Sequence, residues 1–312
     1  MRLIANKVVV PVFVLAILVG AGGAKAADDG MTDKLQAYIQ CINRLSERAY
    51  ESRDRYMGWA SKGPNSMRDA DLGLYTIYDT KDCREGVEKA NAAEPHDAGL
   101  EQAGSAYVKA VTELEPLLQT ADDYYSQGNF KDDKLKKGKE MHPALIAAFA
   151  AFATADQALR ASVEAIDDKA KAEQLAEVEK TEGRSAKFLV LNLMQTGKAL
   201  LRTEDGNDLK KMDVDKINEA LAPYEAAVKE LDTYAGAHEN SPFDSIFMDG
   251  AKSYLTSAKE LMRRVRDKVK YSQGEKMMLD SGQGAWMVEG SPARVLRDYN
   301  ELVDRFNSLR NF

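Results

Sequence analysis

The stretch KLQAYIQCINRLSERAYESRDRYMGWA, residues 34–60, decides the fold class of this chain. Its apolar side chains recur at alternating intervals of three and four residues, at Leu35, Tyr38, Ile42, Leu45 and Ala49. This spacing places them on one face of an α-helix, whereas the side chains of a strand change face at every residue. The sequence therefore predicts a long amphipathic helix that buries one stripe of its surface.

The same helical periodicity recurs through the rest of the chain. It predicts helices over 99–127, 133–167, 169–203, 213–237 and 242–272, and a further one that carries Val295, Tyr299, Leu302, Phe306 and Leu309. Alternating apolar and polar runs of strand length are scarce. We therefore predict an all-α protein, an elongated antiparallel helical bundle with an aromatic loop excursion after the first helix. No Pro/Gly/Ser-rich linker divides residues 27–312, which we expect to form a single helical bundle domain.

Residues 1–26 have the layout of a secretory signal peptide. A basic start precedes the apolar run Val8–Val19, and Ala24 and Ala26 are the small residues that a signal peptidase requires. The apolar run has about half of the roughly 20 residues that a membrane-spanning helix needs. We expect cleavage before Ala27 and a soluble periplasmic or secreted protein, with an uncleaved anchor as the alternative.

Cys41 and Cys83 are the two cysteines of the chain. An exported protein meets an oxidising environment, which favours a disulfide between them, and two buried thiols are the alternative. A bridge that closes a loop of this length would remove roughly 4 kcal/mol of unfolded-chain entropy.

The segment GLYTIYDTKDC, residues 73–83, departs from the helical pattern. We expect this excursion to fold back along the first helix, where the disulfide and its aromatic side chains anchor it. Tyr, Trp and Arg are the residue types most enriched at binding hot spots. The candidate binding surface comprises Arg53, Arg55, Tyr56, Trp59, Tyr75 and Tyr78. Packing of these same side chains at the end of a bundle is the structural alternative.

The sequence has no recognisable motif of an enzyme or of a cofactor site. None of the three histidines, His96, His142 and His238, has the carboxylate spacing of a di-iron bundle. Nucleophile-elbow, phosphate-loop and dinucleotide-binding fingerprints are also missing. We predict no catalytic residues, no metal and no cofactor, and we lean towards a protein that is not an enzyme.

Charge limits the partners that we expect. The chain has 43 basic and 50 acidic residues, which disfavours nucleic acid. The basic runs at 134–139 and 263–270 are expected to be solvated faces, with contact to anionic lipid headgroups as the alternative. The segment 282–292 is expected to tuck Trp286 into the end of the bundle, with a partner-binding loop as the alternative. The expected partner is an unknown envelope protein or a small ligand, with no stable membrane insertion.

One heptad position interrupts the apolar seam of the helix predicted at 133–167. The heptad pattern that contains Leu145 and Phe152 continues to Asp156 and then to Leu159. Asp156 could therefore be a buried polar residue. Ala155 can occupy the seam instead, and we favour Ala155.

Four segments carry a resemblance to a known family, namely Tyr38–Leu45, Arg48–Tyr56, Gly73–Cys83 and Gly290–Val303. Together they resemble the YiiG-like family of exported bacterial proteins, over nearly the whole chain after residue 26. The resemblance implies an exported α-helical protein and carries over no catalytic residue. Some relatives are lipoproteins, but this sequence lacks the lipid-acceptor cysteine. We interpret the chain as a non-enzymatic binding or cell-envelope interaction module; the alternative is a ligand carrier or enzyme that uses a Tyr/Arg/carboxylate cleft.

Overall fold

The computed structural model describes residues 25–203, 209–238, 241, 243–281 and 284–309. Its helices are α1 Lys25–Ala60, α2 Met67–Ala70, α3 Lys81–Ala92, α4 Ala98–Ser126, α5 Lys136–Glu182, α6 Ala186–Leu201, α7 Val214–Ala237, α8 Ser245–Arg266, α9 Gln273–Ser281 and α10 Pro292–Asn307. Short 3-10 helices cover Asn129–Lys131 and Ala285–Met287. The all-α prediction is confirmed, and the described residues form no strand beyond an isolated bridge between Ser61 and Gly63. Most of the predicted signal peptide, residues 1–24, lies outside the described residues.

The described chain divides into two compact units. The first ends at Lys169 and the second begins at Ala170, so the boundary falls within α5. Each unit buries its own apolar side chains and is described by itself below. That residues 27–312 form a single domain stays a prediction.

In the first unit, α1 and α3 run in opposite directions. Cys41 is close to Cys83, and Lys34, which is earlier in α1, reaches the carbonyl of Ala93 beyond the end of α3. Helix α4 runs parallel to α1, since Lys34 bonds Glu101 near the start of both helices and Tyr56 contacts Tyr125 near the end of both.

Helix α5 returns along α1 in the opposite direction. Ser46 in the middle of α1 bonds Asp156, while Tyr56 near its end bonds His142, which is earlier in α5. The first unit is thus an up-and-down bundle of four segments, in which each segment runs opposite to the one before it. The four segments are α1, the segment that ends with α3, α4 and α5.

The second unit repeats this alternation with α6, α7, α8 and α10. Lys259 and Lys252 of α8 pair with Glu225 and Asp232 of α7, so these two helices are antiparallel. Gly197 of α6 accepts a hydrogen bond from Tyr254 of α8, whose ring also packs on Tyr299 of α10. Helix α9 and the 3-10 helix Ala285–Met287 contact each other, and the latter also contacts α10.

Gly104 allows α1 and α4 to approach closely. A Cβ atom at this position would lie 2.9 Å from Cδ1 of Tyr38 and 3.2 Å from Cγ1 of Val87. The ring of Tyr38 is fully buried and its hydroxyl bonds Asn91, so the ring has little room to move away.

Two predicted helix boundaries are wrong. The break expected at 167–169 is absent because α5 continues to Glu182, and the helix ends where Gly183 adopts a left-handed φ of 67°. The helix expected to reach 272 ends at Arg266, where Lys268 adopts a φ of 53°. The turn at Lys268 has no strong signature in the sequence, since Lys is not a residue that favours positive φ, whereas Gly183 is a residue typical of a helix C-terminus.

Helix α5 also contains a segment long and apolar enough, by length and composition alone, to cross a membrane. The alanines at 147–155 raise the mean hydropathy of this segment. The segment contains no long run of large apolar residues, so the sequence prediction did not identify it. Leu145, Phe149 and Phe152 of the same segment are buried in the core of the first unit, as expected for a core helix of a bundle.

Candidate binding surface

Residues 71–80 form a segment that we call the strap, which runs along α1 in the opposite direction. An extended backbone needs hydrogen-bond partners wherever it is shielded from water. Side chains of α1 supply them at one end of the strap. Trp59 Nε1 donates to the carbonyl of Gly73 at 2.8 Å, and Arg55 Nε donates to the carbonyl of Leu72 at 2.6 Å.

The middle of the strap is held in the same way. Ser52 Oγ donates to the carbonyl of Tyr75 at 2.5 Å and accepts from the amide of Tyr75 at 3.2 Å. Arg48 Nε donates to the carbonyl of Thr76 at 3.3 Å. The strap therefore satisfies its backbone against side chains of a helix, without a neighbouring strand.

The ring of Tyr75 contacts two arginines. The guanidinium carbon of Arg48 is 3.8 Å from the ring centroid and that of Arg55 is 4.6 Å away. Arg55 Nη1 also donates to the Tyr75 hydroxyl at 2.9 Å. These cation–π contacts fix the ring and the strap that carries it.

Beyond the strap, the first turn of α3 is close to α1 at the cysteines. The sulfur atoms of Cys41 and Cys83 lie at disulfide distance, with Cα atoms 4.8 Å apart, and both residues are buried. Just before α3, Thr80 Oγ1 donates to Glu115 Oε2 of α4 at 2.6 Å. The end of the strap is thus held to α1 through the cysteine pair and to α4 through Thr80.

A second stripe on α1 makes the contacts to the strap. Beside the apolar stripe, the following residues recur at intervals of four, four, three and four: Arg44, Arg48, Ser52, Arg55 and Trp59. Cys41 precedes this series by three residues. The sequence prediction missed Arg44, Arg48 and Ser52, although their helical spacing is the signal that would have revealed them.

Four of the six predicted surface residues belong to this assembly, and two do not. Arg53 pairs with Asp54 and lies over the ring of Tyr50 at 4.7 Å. Tyr56 is fully buried, and its hydroxyl is 2.9 Å from Nδ1 of His142. Its placement at the surface is therefore corrected: Tyr56 is a core residue beneath the predicted surface.

Burial at this position also changes the acid–base properties of both partners. Desolvation raises the pKa of Tyr56 to about 12 and lowers the pKa of His142 below its usual value of 6.5. Both rings are therefore neutral at neutral pH.

Two large apolar side chains of the strap are exposed. Tyr78 is 60% exposed and Leu72 is 50% exposed. The guanidinium carbon of Arg44 is 5.8 Å from the centroid of the Tyr78 ring. We call Leu72, Tyr78 and Arg44 the strap surface.

The buried position at Asp156 holds a polar network. Asp156 is 2% exposed and Ala155 is 8% exposed, so the seam contains the aspartate as well as the alanine that we favoured. The carboxylate accepts from Ser46 Oγ at 2.6 Å, and from Tyr50 and Arg160 at 2.9 Å each. Both carboxylate oxygens of Asp156 have hydrogen-bond donors, and Arg160 supplies a positive charge. The buried carboxylate is therefore satisfied within the protein, and the network has a structural role.

A surface groove of about 400 Å³ lies between α3 and α4. Val87 and Val108 contribute its apolar part, and the charged lining residues are Arg84, Glu88, Lys109 and Glu113. Charges of both signs suit a ligand that itself carries both. Within the described ranges, no three His, Cys, Asp or Glu side chains converge as metal ligands.

Together, the helices and the strap define an all-α protein in which a segment without regular secondary structure is held on the first helix. The chain belongs to a family described as "Protein of unknown function (DUF3829)", whose profile matches residues 29–308. It is 32% identical over 285 residues to "Uncharacterized protein YiiG" of Escherichia coli strain K12. The alignment covers 89% of this chain and 79% of that protein. The resemblance to a YiiG-like family is therefore confirmed. No solved structure matches the chain.

Proposed function

We propose that this protein is an exported, non-enzymatic binding module that recognises a protein of the cell envelope through the strap surface. The observation that carries the proposal is an exposed tyrosine and an exposed leucine on a segment fixed along its length. Export is supported by the leader-like residues 1–26 and by a cysteine pair at disulfide distance.

The energetic argument rests on preorganisation. Ordering a flexible loop on binding costs free energy, and a loop already held in place avoids that cost. Trp59, Arg55, Ser52 and Arg48 hold the backbone of the strap, so Tyr78 is presented without further ordering of its segment. Tyrosine and arginine are also among the residue types most enriched at binding hot spots.

Site-specific crosslinking in intact cells tests the proposal. A photo-reactive amino acid at position 72 or 78 should give one discrete crosslinked product. The same amino acid at exposed Glu140 of α5 should not give it. The double variant Leu72→Ser/Tyr78→Ser should lose the partner while its helical circular dichroism stays unchanged. Absence of a product from both strap positions, or retention of the partner by the double variant, would contradict the proposal.

The groove between α3 and α4 supports a second candidate, a carrier of a small zwitterionic ligand. Its volume lies within the range of 300–1,000 Å³ that is common for ligand sites. The paired variants Arg84→Ala and Glu113→Ala would then each abolish binding of such a ligand in a thermal-shift screen. Unchanged ligand-induced shifts in both variants would exclude the groove.

A further inference from the structure

The second unit concentrates exposed apolar side chains between the end of α8 and the start of α10. Among the described residues, nine large apolar side chains are exposed, and five of them fall within 269–287. These five are Val269 (49%), Met277 (69%), Met278 (38%), Trp286 (47%) and Met287 (52%). The other four are spread over α2, the strap and the start of α8, so this grouping is a local feature.

The unit leaves these side chains outside although it buries their neighbours. Leu279 is 9% exposed and Val288 is 2% exposed, so the same segment does anchor itself to the bundle. The prediction that Trp286 is tucked into the bundle end is therefore wrong, because Val288 fills that role. Gly284 has a left-handed φ of 74° just before the 3-10 helix that carries Trp286 and Met287.

Basic side chains are concentrated in the same region. Residues 263–287 include six basic and three acidic residues, in a chain whose formal net charge is −7. Two of the acidic residues pair with arginines, Asp267 with Arg266 and Glu275 with Arg264, and the third, Asp280, is exposed. Residues 268, 270 and 276 are lysines, and all three are exposed.

An arginine also accompanies the exposed tryptophan. The guanidinium carbon of Arg297 is 4.9 Å from the ring centroid of Trp286. Tryptophan is enriched where a membrane meets water, since its ring is apolar and its N–H is polar.

We propose that this region, the basic–apolar end defined by Val269, Lys270, Lys276, Met277, Trp286 and Met287, docks on an anionic lipid surface. The lysines contact lipid phosphates, and the apolar side chains enter the boundary between headgroups and acyl chains. Charge favours this occupant over a second copy docked through the same end, because the exposed lysines of the two copies would then face each other. The docking is peripheral and independent of the strap surface.

Vesicle co-sedimentation of the full chain tests the inference. Neutral phosphatidylcholine vesicles are compared with vesicles that also contain phosphatidylglycerol, at about 0.1 M and about 1 M salt. We expect binding to the anionic vesicles at low salt, and its loss at high salt. Lys270→Glu/Lys276→Glu should weaken partitioning by about tenfold or more, since each basic residue near an anionic surface contributes several-fold. All variants have the same residues 1–26 as the wild type, so any vesicle binding by these residues contributes equally to every sample.

Two controls separate this site from a nonspecific charge effect. Lys216→Glu/Lys229→Glu changes the total charge equally, at exposed positions of α7, and should bind like the wild type. Ile246→Ser removes an exposed apolar side chain at the start of α8 and should also have no effect, whereas Met277→Ser/Met287→Ser should weaken binding.

Fluorescence reports on the geometry. The chain has two tryptophans, and the difference between the wild type and Trp286→Phe isolates the emission of Trp286. This emission should shift to the blue on anionic vesicles. Equal binding to neutral and anionic vesicles, an unmoved emission, or concentration-dependent dimers in place of vesicle binding would overturn the inference.

Discussion

At the scale of single residues, Gly104 is where packing overrides helix propensity. Alanine is favoured over glycine inside a helix by about 1 kcal/mol, and at the solvent-exposed Gly58 of α1 an added Cβ would meet no atom within 4 Å. Gly104 differs, because a Cβ would press on the buried ring of Tyr38. Packing therefore requires a glycine at position 104, whereas no contact requires one at position 58.

We expect Gly104→Ala to destabilise the protein and Gly58→Ala to stabilise it. Overpacking typically costs about 1–3 kcal/mol, which exceeds the gain in propensity at Gly104, while at Gly58 only the gain remains. Urea unfolding followed by circular dichroism measures both. Equal shifts of the two midpoints in the stabilising direction would show that Tyr38 yields to the added methyl group.

Another residue-scale feature is the buried amine of Lys34. It donates to the carbonyls of Ala93 and Pro95 at 2.9 and 3.0 Å, and to Glu101 Oε1 at 2.5 Å. The hydrogen bonds from Lys34 and then from His96 lower the pKa of Glu101 from 4.5 to about 2. Since this pKa is lower in the folded state, ionised Glu101 stabilises the fold above pH 4.5, and this contribution is lost as the pH falls towards 2.

Glu101→Gln should remove that part of the acid dependence. The urea midpoint of the wild type should fall between pH 4.5 and pH 2, and the variant should show a shallower fall. Glu85→Gln, at an exposed position of α3, serves as the control and should keep the slope of the wild type. Parallel profiles for wild type and Glu101→Gln would contradict the role given to this ion pair.

At the scale of elements, the strap depends on the cysteine pair and on the polar stripe of α1. The strap has no helix or sheet of its own, so its order comes from contacts that other elements provide. The link between Cys41 and Cys83 spans 42 residues and shortens the part of the chain that must be ordered.

Reduction of the protein should lower its free energy of unfolding by about 4 kcal/mol, on the loop-closure estimate for a loop of this size. The urea midpoint with and without reductant measures the change, and Cys41→Ser/Cys83→Ser should be insensitive to reductant. Two reactive thiols in the unreduced native chain would show that the pair is not bonded.

The apolar stripes of the helices could be predicted from sequence because burial follows a period that local spacing encodes. Helix α1, the bounds of α4 and the N-cap of α10 at Ser291 follow from such local signals. The helical spacing of Arg48 and Ser52 could have placed them on one stripe of α1. The strap as the partner of that stripe could not be predicted, since an arginine that bonds a distant carbonyl looks like any solvated arginine. The exposure of Trp286 was also missed, because apolar character alone does not say which of several neighbours is buried.

At the scale of the whole molecule, each unit is an up-and-down bundle of four segments. The second segment of the first unit consists of the strap and α3, whereas the second segment of the second unit is the single helix α7. Each unit has its own buried aromatic residues, such as Tyr107 and Phe152 in the first and Tyr224 and Tyr254 in the second. Each core can therefore be perturbed separately.

Hydrogen exchange after removal of the cysteine pair should report this division. In Cys41→Ser/Cys83→Ser, amide protection should fall in α1 and α3 and stay unchanged in α6, α8 and α10. A matched loss of protection in the helices of both units would instead support the single domain predicted from the sequence.

The way in which the strap is held has a consequence for aggregation and for recognition. Backbone N–H and C=O groups that are left unpaired at a surface invite another chain to pair with them. Here the carbonyls of Leu72, Gly73, Tyr75 and Thr76 are already occupied by donors from α1. An incoming strand would find those acceptors taken, so β-augmentation is disfavoured at this segment, and a partner must read its side chains.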